Sequence, residues 1–338
     1  MKVTEQIFKS IIRGEYIAYE NENGELMTKR FTDKQAEVIA RRCPSGVYQQ
    51  AGMRLDFYTD AQAIEMAFSY THLTSRIFMS VDIYEDSVLT YSYKQANTFD
   101  IKKGSFRHEF EKSGKKRVTV HLPYSVELCF KNIELEGASI VEPYENYSAF
   151  AYMLGDSITH GYDAETTSQT YVNVALRQLD MDVINQGVGG YIFCADSLDP
   201  ELFAGKKTPD IITIAYGTND WSGKTNEDFC RDIDEFFVRL REIFPSTPVL
   251  MITPVWRAAH YVTTKAGTFE YAHEYIAQAA KKHEGIYVLD GYKLVPHAYE
   301  YFRDVRLHPN DAGFATYGIG VANAIADILN IKPVIHFI

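Results

Sequence analysis

The chain has 338 residues, 46% hydrophobic and 23% charged, which describes a folded globular protein too long for one typical core, so two domains are expected. A net charge of −11 repels phosphate backbones and anionic lipid and argues against nucleic acid or a membrane surface as partner. The N-terminus has no basic flank followed by an apolar core, and no later stretch approaches the length of a membrane span.

Residues 1–47 give mixed signals. Ile11, Ile12, Tyr16, Ile17 and Tyr19 can begin a strand, and the stretch from Phe31 to Ala40 fits either a short helix or a sheet edge. From about residue 48 to 142 the apolar period is two. Met53, Leu55 and Phe57 alternate with polar neighbours, as do Ile64, Met66 and Phe68, then Ile77, Met79, Val81 and Ile83. Val118, Val120 and Leu122 precede a break at Pro123, and Val126, Leu128 and Phe130 follow it. Short alternating strands without helical periods between them predict an all-β, jelly-roll-like sandwich over residues 1–146. Lys102-Lys103-Gly104 and the run from Lys112 to Arg117 read as solvated hairpin turns, and no residue of this half is singled out for chemistry.

After residue 147 the pattern changes. Apolar strands near 148–154, 181–185, 211–215, 248–253 and 286–290 alternate with amphipathic helices, among them one behind Asn226, one from Thr268 to His283 and one from Asp311. Strands joined by helices predict a three-layer α/β domain over residues 147–338, with a five-stranded parallel sheet of flavodoxin-like type. Ligands of such sheets bind beyond the carboxyl ends of the strands.

Those ends carry a distinctive set. The first strand stops at Gly155-Asp156-Ser157, where a serine stands on an abrupt turn. The second runs into Asn185-Gln186-Gly187-Val188-Gly189-Gly190-Tyr191, whose glycines let backbone amides approach a ligand. Gly217-Thr218-Asn219-Asp220-Trp221 follows the third strand and Thr253-Pro254-Val255-Trp256-Arg257 the fourth, while Arg303-Asp304-Val305-Arg306-Leu307-His308-Pro309-Asn310 precedes the last helix. A serine hydroxyl needs a base to attack an ester, an imidazole suits that task, and the oxyanion that forms needs preorganised donors. The predicted roles are Ser157 as nucleophile, His308 as general base and then acid, and the Ser157 amide, the Gly190 amide and the Asn219 side chain as the oxyanion hole. Tyr191, Trp221 and Trp256 are candidate pocket walls, and Asp156 is expected to fix the turn. The GxSxG elbow is absent, because Thr159 stands where its second glycine would be.

No HExxH or clustered Cys/His spacing occurs, so neither a metal nor a cofactor is expected. Cys43, Cys129, Cys194 and Cys230 are scattered without a CxxC pair and fit reduced thiols in a cytoplasmic protein.

In the order and context of these blocks, residues 148–330 resemble the serine hydrolases of SGNH, or GDSL, type. Gly155-Asp156-Ser157-Ile158 stands for the nucleophile block, Asn185 through Gly190 for the glycine block, Gly217-Thr218-Asn219-Asp220 for the asparagine block and His308-Pro309-Asn310 for the histidine block. The resemblance implies that Gly190, rather than Gly189, supplies the oxyanion amide. It also implies an aspartate three residues before the histidine, where this chain has Val305; Asp304 lies four before. Either the loop holds one more residue and Asp304 still orients His308, or a backbone carbonyl does so in a Ser-His dyad. A sandwich ahead of such a domain is similar to some bacterial carbohydrate esterases, those called family 2. That implies a small-molecule ester substrate, an acetylated sugar or oligosaccharide. A lipase-like or thioesterase activity on longer acyl chains and a non-catalytic carbohydrate-binding role are the alternatives, and a homo-oligomer is left open.

Overall fold

The computed structural model of the chain describes residues 1–304 and 306–334. Val305 and residues 335–338, the end of the predicted second domain, lie outside the described residues.

The first half forms two antiparallel sheets. Its strands are β1 (Ile12–Arg13), β2 (Ile17–Glu20), β3 (Leu26–Lys29), β4 (Arg54–Thr59), β5 (Ala63–Thr71), β6 (Met79–Glu85), β7 (Val88–Gln95), β8 (Lys103–Glu109), β9 (Lys116–His121), β10 (Glu127–Glu136) and β11 (Val141–Pro143). One sheet has the order β1-β4-β9-β6-β7 with β11 also on β4, and the other β2-β3-β10-β5-β8. Leu55, Phe57, Val81, Ile83, Val118 and Val120 from the first face Ile64, Met66, Phe68, Leu128 and Phe130 from the second in one buried core. This is the sandwich that period-two alternation predicts, because every second residue along a strand points to the face that the two sheets share, although β6 is buried along its whole length.

Three local readings differ. Lys103 and Gly104 lie within β8, and Lys116 and Arg117 within β9, so neither stretch is wholly a turn. Lys116 is 2% exposed, its ammonium donating to the carbonyls of Ala61 at 2.8 Å and Gly114 at 3.1 Å. A cation satisfied by carbonyls is invisible to a charge-based turn signal. Strand β7 has no counterpart in the sequence reading: among the described residues it pairs only with β6, at the edge of its sheet, and Val88 and Leu89 are exposed, so no apolar alternation marks it. The N-terminal segment adds two helices, α1 (Glu5–Ile11) and α2 (Asp33–Ala40), the latter begun by a capping box between Thr32 and Gln35.

The second half holds parallel strands β12 (Phe150–Gly155), β13 (Asp182–Gly187), β14 (Ile211–Ala215), β15 (Val249–Ile252) and β16 (Ile286–Leu289), in the order β13-β12-β14-β15-β16. That is the flavodoxin-like order, with the switch point at β12. Its helices are α3 (Ser157–His160), α4 (Tyr171–Leu179), α5 (Thr218–Gly223), α6 (Asn226–Ile243), α7 (Phe269–Ala280) and α8 (Asp311–Leu329). On one face Phe229, Ile233, Phe236, Phe237 and Leu240 of α6 pack with Ile276 and Ala279 of α7; on the other, Tyr171 and Leu176 of α4 pack with Phe314, Tyr317, Val321 and Ile325 of α8. Helix α8 is, against expectation, long and apolar enough by length and composition alone to cross a membrane, yet its apolar stripe is spent on α4.

The two halves share buried surface. Phe31, Ile39 and Val47 belong to the core beneath α6 rather than to the sandwich core. Arg54 of β4 reaches Asp182 at 3.1 Å, and Arg117 of β9 joins Asp56 to Asp180.

Candidate active site

Strand β12 delivers Ser157 to the carboxyl edge of the sheet at the switch point. Asp156 caps the short helix α3, its side chain accepting from the Ile158 amide at 3.0 Å. The strand end must be glycine, since a Cβ on Gly155 would overlap the Thr159 side chain. Gly187 is equally constrained, because a Cβ there would overlap the His160 amide and the Thr159 carbonyl carbon. Close approach of the glycine block to α3 is therefore written into the sequence as glycine. The Asn185 side chain ties the two together, donating to Thr159 O at 2.8 Å and accepting from the Gly187 amide at 2.7 Å.

Ser157 is 5% exposed, and its hydroxyl donates to His308 Nε2 at 2.8 Å. His308 Nδ1 donates to Asp304 Oδ2 at 2.7 Å, so the three side chains form a continuous relay. The other Asp304 oxygen accepts from the amides of Arg306 at 2.9 Å, Leu307 at 2.9 Å and His308 at 3.1 Å. These three amides close on the carboxylate, and with a four-residue offset it still reaches the ring. Burial pushes the Asp304 pKa up, but the His308 and backbone hydrogen bonds outweigh it and hold the group well below the usual carboxylate range. It is anionic wherever the imidazole is a competent base.

Gly190 has a left-handed φ of +82°, and its amide donates to no protein acceptor among the described residues. Asn219, at the start of α5, donates to Tyr191 O at 3.0 Å and so locks the glycine and asparagine blocks together. Gly189 has a different environment: its amide donates to His160 Nδ1 at 3.2 Å, and a Cβ there would stand 2.6 Å from the Tyr162 ring. His160 Nε2 in turn donates to Tyr124 O at 2.9 Å, and burial pushes this imidazole well below its ordinary pKa, so it is a neutral strut.

Tyr191, Trp221 and Trp256 are core residues rather than open walls, at 3%, 1% and 8% exposure. Trp221 donates Nε1 to Gly267 O at 3.1 Å and meets Phe269 edge-on, and Trp256 stacks on His297 and packs on Phe302. Their rings fill space behind the loops. The aromatic ring beside His308 is Tyr162, with centroids 5.9 Å apart.

Several residues at the site were not anticipated. Arg30, fully buried, donates to the carbonyls of Asn185 at 3.1 Å, Gly187 at 2.9 Å and Gly46 at 2.9 Å, and burial pushes its pKa down to about 9. Arg42 donates to Gly190 O at 2.9 Å, and Arg257 approaches Thr218 O at 3.4 Å. Arg76 and Asp163 flank His308. Tyr162 and Asp163 carry a sequence signal through their place just after the Gly-Asp-Ser turn, and Arg257 through its place in the loop after the fourth strand; Arg30, Arg42 and Arg76 lie in the first half, far away in the chain. Asp163, Asp304 and His308 are close enough together to suggest a cation site, their donor atoms lying within 4.8 Å of one another. Both Asp163 oxygens already accept from Arg76, however, whose own charge faces the space an ion would need.

Residues 153–316 match the sequence model of the GDSL-like lipase/acylhydrolase family. Over that stretch the chain is similar to the GDSL-like acylhydrolases. No curated protein matches the chain. Among solved structures, the whole chain is similar to the salicylyl-acyltransferase SsfX3 from a tetracycline biosynthetic pathway, at a TM-score of 0.77 and 20% identity over 94% of each chain. A protein from Bacteroides ovatus ATCC 8483 named as a GDSL-like lipase gives 0.75 and 18% over 99% of each chain. A family two carbohydrate esterase from Cellvibrio japonicus gives 0.67 and 13% over 98% of this chain and 97% of that one. At these identities the likeness establishes a shared two-domain fold, a sandwich followed by a parallel α/β domain.

Proposed function

We propose that the protein is a serine esterase that removes small O-acyl groups, chiefly acetyl, from carbohydrates through an acyl-enzyme. The observation that carries this reading is the relay from Ser157 through His308 to Asp304. Ser157 Oγ attacks the ester carbonyl while His308 Nε2 takes its proton. The Ser157 and Gly190 amides and the Asn219 side chain receive the oxyanion, and His308 returns the proton to the departing sugar oxygen. Water, activated by the same imidazole, then releases the acid. Asp304 orients the ring and stabilises its charged form. The near burial of Ser157 suits a small acyl group, and the carbohydrate assignment leans on the fold shared with family two carbohydrate esterases. Four cysteines without a disulfide fit a cytoplasmic setting, where short acetylated oligosaccharides are the accessible substrates.

The test is hydrolysis of p-nitrophenyl esters of increasing chain length, with Ser157→Ala as blank, followed by acetate release from acetylated mono- and oligosaccharides. Activity falling steeply beyond acetate, together with acetate release from a sugar, is expected. Hydrolysis of long acyl esters with no release from any sugar overturns the carbohydrate assignment, and a wild type no faster than Ser157→Ala overturns the esterase.

A further inference from the structure

His308 Nδ1 faces two carboxylates. Asp304 Oδ2 lies at 2.7 Å, and Asp163 Oδ2 at 3.4 Å on another loop. Asp163 is itself gripped in bidentate fashion by Arg76, which donates Nε to Oδ1 at 2.8 Å and Nη2 to Oδ2 at 2.6 Å, while the same Nη2 stands 3.3 Å from His308 Nδ1. Arg76 comes from the sandwich, in the connection between β5 and β6, and its guanidinium lies over the Tyr162 ring, 4.7 Å from the centroid. The Asp163 side chain is 7% exposed.

The backbone at Asp163 is held from the sandwich as well. Its φ of +77° is a left-handed conformation uncommon outside glycine, which aspartate and asparagine adopt more readily than other residues. Tyr124, again from the sandwich, braces it: its hydroxyl accepts from the Asp163 amide at 3.2 Å and donates to Ala164 O at 3.0 Å. Further along the same loop, the Thr167 amide donates to Ser80 Oγ and the Ser168 amide to Asp82, each at 2.7 Å. The sandwich therefore holds both the loop and the partner of its carboxylate.

We propose that Asp163 is a second carboxylate serving His308, and that Arg76 is the positioning residue through which the sandwich holds it in place. This rests on the esterase reading above. As Ser157 attacks, its proton passes to Nε2 and the ring becomes cationic; the proton on Nδ1 stays on the ring, between the two carboxylates, until Nε2 gives its proton to the leaving oxygen. Asp304 takes the Nδ1 hydrogen bond. Asp163, its charge offset by Arg76, turns a carboxylate oxygen toward the same nitrogen and so helps orient the ring rather than adding net charge, and Arg76 fixes its distance. If Asp304 is neutralised, Asp163 is the group within reach to keep the ring oriented.

The test is a double-mutant cycle in the full-length protein with p-nitrophenyl acetate. Asp163→Asn suits it, since asparagine is isosteric and tolerates a left-handed backbone. Where one aspartate acts alone, its amide variant typically loses on the order of 10⁴-fold in kcat. Here we expect Asp304→Asn to lose only about 10- to 100-fold and Asp163→Asn about 10-fold, both with KM unchanged, and the double variant to fall more than about tenfold below the product of the two. Arg76→Met repeats the cycle without touching Asp163: it should match Asp163→Asn in kcat, couple to Asp304→Asn in the same way, and add less than about twofold to Asp163→Asn. A double variant equal to the product of the singles, or an Asp163→Asn enzyme with wild-type kcat, makes the Arg76–Asp163 pair an interdomain brace only and overturns the proposal. A wild type no faster than Ser157→Ala would instead remove the esterase reading on which it stands.

Discussion

Replacing Asp156 by asparagine should stabilise the protein at alkaline pH and leave it unchanged in acid. Asp156 is 2% exposed, and burial pushes its pKa up from 3.8 to about 7; the Ile158 amide and the charges of His308 and Arg257 offset only part of this, and Asp220 adds to it. The sign follows from which state holds the proton. Below 3.8 the group is protonated folded or unfolded and contributes nothing. Between there and about 7 the unfolded chain has released the proton that the folded chain keeps, so stability falls as pH rises. Above that range the folded state bears the whole difference, about 3 pH units or on the order of 4 kcal/mol. Asparagine keeps an oxygen to accept from the Ile158 amide, so the helix cap survives. Urea unfolding of wild type and Asp156→Asn at pH 4 to 8 should give curves that coincide in acid and separate progressively, by about 2–4 kcal/mol at the alkaline end. A gap that stays constant with pH, or an asparagine variant less stable than wild type at pH 8, would refute the account of a carboxyl destabilised by burial.

Two further predictions concern the oxyanion loops. Asn219→Ala should lower kcat on p-nitrophenyl acetate by about 10²- to 10³-fold with little change in KM, as expected for one lost oxyanion donor; an equal rise in KM would instead mean that Asn219 only braces Tyr191. Gly187→Ala and Gly190→Ala should separate fold from chemistry. The first meets the His160 amide and should cost about 3 kcal/mol in a thermal or urea melt. The second meets nothing nearer than Cys43 Sγ at 3.7 Å and should cost only about 1 kcal/mol for its left-handed backbone, while still lowering kcat.

Much of the architecture could be read from local pattern, because burial on one face or both leaves a period in the sequence. Leu55 and Phe57 announce β4, and Phe236, Phe237 and Leu240 announce α6. The loops at the strand ends were legible for a related reason: glycines such as Gly155 and Gly187 stand where any side chain would collide. Periodicity failed where no apolar face exists, as at the edge strand β7, and where a charge is satisfied by carbonyls, as at Lys116. The spacing of Asp304 was ambiguous because it depends on how a loop wraps a carboxylate. Trp221 and Trp256 look alike as exposed platforms or buried filler until their neighbours are known. Arg76 and Asp163 were out of reach for a simpler reason: they are 87 residues apart, and no local rule pairs them.

The buried arginine beneath the glycine block also has a consequence in time. Arg30 binds carbonyls at Asn185 and Gly187, the former 155 residues further along the chain. At roughly 5–20 residues per second on the ribosome, those carbonyls emerge on the order of 10–30 s after the guanidinium that needs them. Until then the segment bearing Arg30, Phe31 and Ile39 has no place to bury itself, although the sandwich strands around it can already pair. The nascent chain must therefore carry that guanidinium without these carbonyl partners, and exposed apolar side chains beside it, through nearly half of its synthesis. For the same reason residues 147–334 expressed alone should lack the cation that pins their glycine loop, and separating the halves at the apparent boundary would leave each with a wound in the other's shape.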